Sequence, residues 1–83
     1  MEVGIWKEIG QQLVLELAFS DQTEAAEFVL KIAQLSDELN HHAEIEFYKC
    51  RKVRLSICTH HAGNSITEQD HHWKAKVNKL LSQ

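Results

Sequence analysis

Residues 13–42, LVLELAFSDQTEAAEFVLKIAQLSDELNHH, change their hydrophobic period partway along, and that change decides the fold. In the first part Leu13, Leu15, Leu17 and Phe19 alternate with Val14, Glu16 and Ala18, the pattern of a strand with one buried side. Further on, the apolar positions spread to Phe28, Ile32, Leu35 and Leu39, joined by Ala25, Val29 and Ala33. That spacing predicts an amphipathic helix of about five turns, ending near His41. Asp21, with Glu24 three residues later, supplies an N-cap and its reciprocal partner.

Upstream, GIWKEI (4–9) reads as a short strand, with Gly10, Gln11 and Gln12 as the turn. Downstream, EIEFY (44–48) alternates again, and KVRLSICTH (52–60) does so more clearly through Val53, Leu55 and Ile57. The residues between 48 and 52 form the hairpin connection, although no Asn-Gly or Asp-Gly sets its type. Thr67 and Asp70 repeat the capping-box pattern before HHWKAKVNKLL, where Trp73, Val77, Leu80 and Leu81 make the apolar stripe. The expected order is β-β-α-β-β-α. It predicts an α+β two-layer sandwich, a four-stranded antiparallel sheet with helices packed on one face. The 83 residues suffice for a single domain spanning 1–83 and are too few for two cores.

Composition excludes several classes of function. A chain 43% hydrophobic and 25% charged has the balance of a folded domain, not of a disordered segment. Its net charge of −3 argues against direct nucleic-acid binding, whose first footprint is a basic face. No apolar run reaches membrane-spanning length, so no membrane partner is expected. MEVGIWKEIG lacks a basic segment leading into an apolar run, so no secretory signal is expected either. Cys50 and Cys58 lack C-x-x-C spacing and read as two reduced thiols of a cytoplasmic protein.

The six histidines all fall in doublets: His41–His42, His60–His61 and His71–His72. Neighbours on a helix point about 100° apart and neighbours on a strand point to opposite faces, so one pocket uses one member of each pair directly. His41 follows Asp37 by four residues and His42 follows Glu38 by four, which sets an acid on the helical face of each. An imidazole so held, near a helix C-terminus, is a capable proton donor around neutral pH. Between His60 and His61 the strand alternation does not choose. His71–His72 fall in the first turn of a helix, where positive charge is disfavoured, and read as solvated surface. Three histidines from separate segments would also suit zinc with an open fourth position, but no spacing such as H-E-x-x-H marks a metal site.

Taken together, DELNHHAE (37–44), KVRLSICTHHAG (52–63) and ITEQD (66–70) resemble the pterin-4a-carbinolamine dehydratase family. Three motifs stand in the family's order: an acid, three intervening residues and His-His; a strand ending Thr-His; and a Thr-x-x-Asp helix start. The resemblance runs from about Trp6 to Leu81. It implies a hydro-lyase that eliminates water from 4a-hydroxytetrahydrobiopterin to give quinonoid dihydropterin, in tetrahydrobiopterin recycling, with no cofactor and no metal. His41, His42 and His60 map onto the family's acid–base histidines, and Asp37 and Asp70 onto its acids. On this mapping His41 and His60 form the proton-transfer pair, His42 binds or polarises the substrate, and Asp37 orients His41. Trp6, Thr59 and Asp70 line the pterin site, Asp70 also capping the last helix.

The resemblance further implies a homodimer or homotetramer, and it leaves open an alternative role as a dimerisation partner of a transcription factor, which would add a nuclear location. Ala43 departs from the family's usual proline, and the hairpin and GNSIT (63–67) are each one residue longer than usual. His71 replaces a common apolar residue. None of these changes removes a proposed proton-transfer group.

Overall fold

The computed structural model describes residues 1–59, 63 and 65–82; His60 and His61 lie outside the described residues. Five short strands and two helices follow in the order β1 (Glu2–Val3), β2 (Lys7–Ile9), β3 (Gln12–Ala18), α1 (Gln22–Leu39), β4 (Glu44–Tyr48), β5 (Lys52–Ile57) and α2 (Glu68–Leu81). All pairings are antiparallel, with β3 and β5 central, β4 on one edge, and β1 and β2 together on the other. Both helices cover the same face. The α+β two-layer architecture expected from the sequence is therefore present.

The sheet's helix-facing side carries Leu13, Leu15 and Leu17 from β3 against Val53, Leu55 and Ile57 from β5. Phe28, Ile32 and Leu35 of α1 and Trp73 and Val77 of α2 close over them. Burying such side chains supplies about 1.5–3 kcal/mol each, which is what holds so small a domain together. On the open side Arg54 bonds Glu16 and Glu46 on its two neighbouring strands at 3.2 and 3.4 Å. Such exposed pairs contribute little to stability.

The first strand differs from the expectation of one continuous segment at 4–9. Val3 faces Leu17 and Lys7 faces Val14, so three residues (Gly4, Ile5, Trp6) oppose two on β3. This is a one-residue β-bulge, and it splits the strand into β1 and β2. Gly4 sits where the two backbones approach most closely. Its N–H donates to the Glu16 carbonyl at 2.9 Å, and a Cβ there would lie 2.7 Å from the same oxygen. Gly4→Ala is accordingly expected to destabilise the fold by roughly 2 kcal/mol and to lower the melting temperature by about 10 °C. A thermal melt indistinguishable from wild type would show that the bulge is soft.

The bulge matters because it delivers Trp6 to the helix layer. The indole N–H donates to Asn78 Oδ1 at 2.8 Å, and the ring meets the buried Trp73 edge to face, centroids 6.4 Å apart. Lys74 Nζ stands 5.8 Å from the Trp6 ring centroid, within cation–π range. At the other end of this hairpin, Gly10 and Gln11 both take left-handed φ, 55° and 63°, as a two-residue primed turn requires.

Candidate active site

The site forms where the C-terminal end of α1 meets the N-terminal end of α2. Helix α1 ends at Leu39, two residues before His41: Asn40 adopts the left-handed conformation at φ 50° and caps the helix, its N–H turned back to Asp37 and Ser36 carbonyls. Asparagine tolerates this conformation, which ends many helices. His41 and His42 therefore leave the helix, and the i,i+4 relation to Asp37 and Glu38 no longer governs them.

The consequence is an exchange of partners. Asp37 does not orient His41. Asp37 Oδ1 lies 2.8 Å from His42 Nε2, in a pair whose side chains are 79% and 61% exposed. His41 turns inward instead, its Nε2 2.7 Å from Oδ1 of Asp70 at the start of α2. The His41 side chain is only 14% exposed and that of Asp70 is fully buried.

Asp70 is the centre of a polar cluster with each oxygen assigned. Oδ1 accepts from His41. Oδ2 accepts from the Thr59 hydroxyl at 2.7 Å and from the Thr67 N–H at 2.8 Å. Thr59 and Thr67 hydroxyls are 2.6 Å apart, so Thr67 Oγ1–H donates to Thr59, whose own proton goes to Asp70. Thr67 completes the capping box of α2 by accepting from the Gln69 N–H at 3.3 Å. Burial pushes the Asp70 carboxyl up, but the hydrogen bonds from His41, Thr59 and Thr67 and the nearby His41 charge outweigh it, and the group is held below the ordinary carboxylate value. A buried carboxylate that stays ionised fixes its imidazole neighbour: Nε2 carries the proton it shares with Asp70, and Nδ1 remains for other work. Among the described residues no hydrogen bond reaches that Nδ1.

His41 lines a cleft of about 340 Å³ together with Leu39 and Asn40 from the end of α1 and Glu68, Gln69 and His72 from α2. Trp6 and Thr59 are not part of that lining: Thr59 reaches the site through Asp70, and Trp6 is held further along α2. His72, read from sequence as solvated surface, is exposed and stands at the rim of the cleft, four residues after Glu68 on one helical face. Cys58, next to Thr59, is buried, and burial, then the charges of Asp70 and Glu44, push its thiol up, so it stays protonated. Both cysteines are free. Among the described residues no three His, Cys, Asp or Glu side chains cluster in a manner suited to a metal ion, and no helix is long and apolar enough to cross a membrane.

An α+β sandwich with a buried carboxylate–imidazole pair at a helix junction defines a small domain equipped for proton transfer. The family model for pterin 4 alpha carbinolamine dehydratase matches residues 2–80, and the chain belongs to that family. A relative from Thermomicrobium roseum is 36% identical over 98% of this chain and 85% of its own length. One from Sulfolobus acidocaldarius is 34% identical over 95% and 85%. Both carry the name pterin-4-alpha-carbinolamine dehydratase as a provisional assignment. Among solved structures, a transcriptional coactivator/pterin dehydratase from Brucella melitensis superposes with a TM-score of 0.78 at 26% identity, over 89% of this chain and 79% of that one. A pterin dehydratase-like protein identified as a RuBisCO assembly factor in the alpha-carboxysome gives 0.74 at 24% identity over 90% and 87%, a likeness of fold alone.

Proposed function

We propose that the protein is a 4a-hydroxytetrahydropterin dehydratase working by histidine acid–base catalysis. In the reaction the C4a–O bond breaks as the hydroxyl takes up a proton and leaves as water. N5 gives up its proton, and its electron pair forms the C4a=N5 bond of the quinonoid dihydropterin. No electrons are exchanged with a second reactant, so the step asks only for positioned proton donors and acceptors. The observation that carries the reading is the Asp70–His41 pair: a buried carboxylate leaves one imidazole nitrogen, Nδ1, beside a cleft of ligand size.

In this scheme His41 is one proton-transfer group, and His60, by its place in the family motif, is the other. His42, steadied by Asp37, binds or polarises the substrate. Asp70 positions His41 and is joined to Thr59, and Trp6 borders the pterin site. The domain works in the cytoplasm as a homodimer or homotetramer. The decisive experiment is a dehydration assay on freshly generated 4a-carbinolamine, followed by absorbance of the quinonoid product, with metal analysis of the same sample. Turnover well above the spontaneous rate in metal-free protein is the expected result. No acceleration, with or without stoichiometric zinc, would end the proposal.

A second reading, a protein-binding module, draws support from two observations. The Brucella melitensis relative carries the words transcriptional coactivator beside pterin dehydratase. Edge strand β4 is unpaired on its outer side among the described residues and leaves Phe47 42% exposed. A scaffold has no need of a buried Asp–His pair, so the two roles are separable by the assay above.

A further inference from the structure

Thr59 is 1% exposed and does not border the His41 cleft, so its hydroxyl meets no molecule bound there. Its backbone is fixed by a β-bridge to Ser65, whose carbonyl accepts from the Thr59 N–H at 2.9 Å. A β-branched side chain on a fixed backbone has little rotameric freedom. The hydroxyl is therefore held in one place, 2.7 Å from Asp70 Oδ2.

The protons of this cluster run in one direction. The Gln69 N–H donates to Thr67 Oγ1, the Thr67 hydroxyl donates to Thr59, and the Thr59 hydroxyl donates to Asp70 Oδ2. Reversal would set a hydroxyl oxygen against a carboxylate oxygen with no proton between them. Donors in line also polarise one another, which strengthens the last bond of the chain. The Thr67 hydroxyl is a poor substitute for that bond, because its oxygen stands 3.5 Å from the same Oδ2. Without the Thr59 hydroxyl, Thr67 turns its proton to Asp70. Closing that gap draws the carboxylate toward the N-terminus of α2 and takes Oδ1 off its 2.7 Å contact with His41 Nε2. We infer that Thr59 is a positioning residue of the reaction: it anchors Asp70 by the far oxygen and so keeps the His41 proton on Nε2 and Nδ1 bare. This rests on the dehydratase reading of the site.

The test separates hydrogen bonding from shape. Thr59→Val keeps the volume and removes the hydroxyl, whereas Thr59→Ser keeps the hydroxyl and removes a methyl group. Thr59→Val is expected to lower kcat for the 4a-carbinolamine roughly tenfold with KM changed less than about twofold, and Thr59→Ser to keep most of the wild-type rate. In a His41→Ala background Thr59→Val should cause no further loss, because Thr59 acts only through that imidazole. The ¹⁵N signals of the His41 ring, which need no substrate, should report the proton on Nε2 in wild type and Thr59→Ser, and a share of it on Nδ1 in Thr59→Val. Where Thr59→Val does not fold, Thr59→Cys in reducing buffer replaces it: it is close in shape to Thr59→Ser, with a much weaker donor, and should lose rate as the valine does. No acceleration by wild-type protein ends the dehydratase reading and this role with it. Wild-type turnover, with kcat and ring signals unchanged in the folded hydroxyl-free variants, overturns the positioning role alone. A full tenfold loss persisting in the His41→Ala background does the same.

Discussion

His41→Ala is expected to lower turnover of the 4a-carbinolamine by roughly 10²–10⁴-fold, the usual contribution of one positioned acid–base group. The size of the loss follows from geometry. His41 is mostly buried, its ring is held by a single short bond to Asp70, and no other described side chain presents a free imidazole nitrogen from so enclosed a position. Water entering the vacated space restores a hydrogen-bonding group but not a positioned acid–base one. His42→Ala should act differently. Its pair with Asp37 is exposed and easily rearranged, so the effect falls mainly on KM, with a smaller loss of kcat. His60→Ala carries the same expectation as His41→Ala from its place in the family motif. The measurement is steady-state dehydration kinetics on the three variants, each first shown by circular dichroism to be folded. Wild-type rates in both His41→Ala and His60→Ala would remove imidazole chemistry from the mechanism.

What was legible in the sequence depended on how local its cause was. The alternation of Leu13, Leu15, Leu17 and Phe19 and the helical spacing of Phe28, Ile32 and Leu35 each describe one face of one element, and all seven are buried. Both caps were readable for the same reason. Asp21 accepts from the Glu24 N–H at 2.8 Å, although Glu24 returns its bond to Ser20 and not to the cap itself. The bulge at Gly4–Trp6 was not readable, because it arises from a register shift against β3; a glycine inside a strand pattern was the available hint. Val14 also departs from simple alternation: it lies on the open side yet is 9% exposed, beside the exposed Ile5 and Ile9 of the bulged edge.

The partner of His41 was the main site feature that spacing misassigned. Counting four residues back from His41 gives Asp37 only if the helix continues, and Asn40, a residue at home in the left-handed region, marks where it stops. The carboxylate that does hold His41 comes from 29 residues downstream. Its role as a cap was visible in T-x-x-D; its second oxygen's role was not, because nothing in a linear motif tells which element lies across from it.

Asp70→Asn is expected to have the largest effect on stability, and it also bears on catalysis. At pH 7 the wild-type carboxylate accepts three hydrogen bonds in full burial. An amide offers one oxygen and turns an NH₂ toward groups that themselves donate, leaving at least one buried donor unpaired. The loss is roughly 2–3 kcal/mol, read from urea unfolding. The pH dependence has a definite sign. Because the folded carboxyl lies below its unfolded value, its contribution is complete above the ordinary carboxylate range and disappears as pH falls through the lower, folded value. The gap between wild type and Asp70→Asn should therefore be widest near neutrality and narrow below about pH 4. Asp37→Asn, at an exposed pair, should show little stability difference at any pH. Turnover of Asp70→Asn should drop roughly a hundredfold or more, since the asparagine no longer selects the His41 tautomer with its proton on Nε2. A variant with wild-type turnover and reduced stability would assign Asp70 to the helix cap alone and would require His41 to be held by something other than the group that it touches.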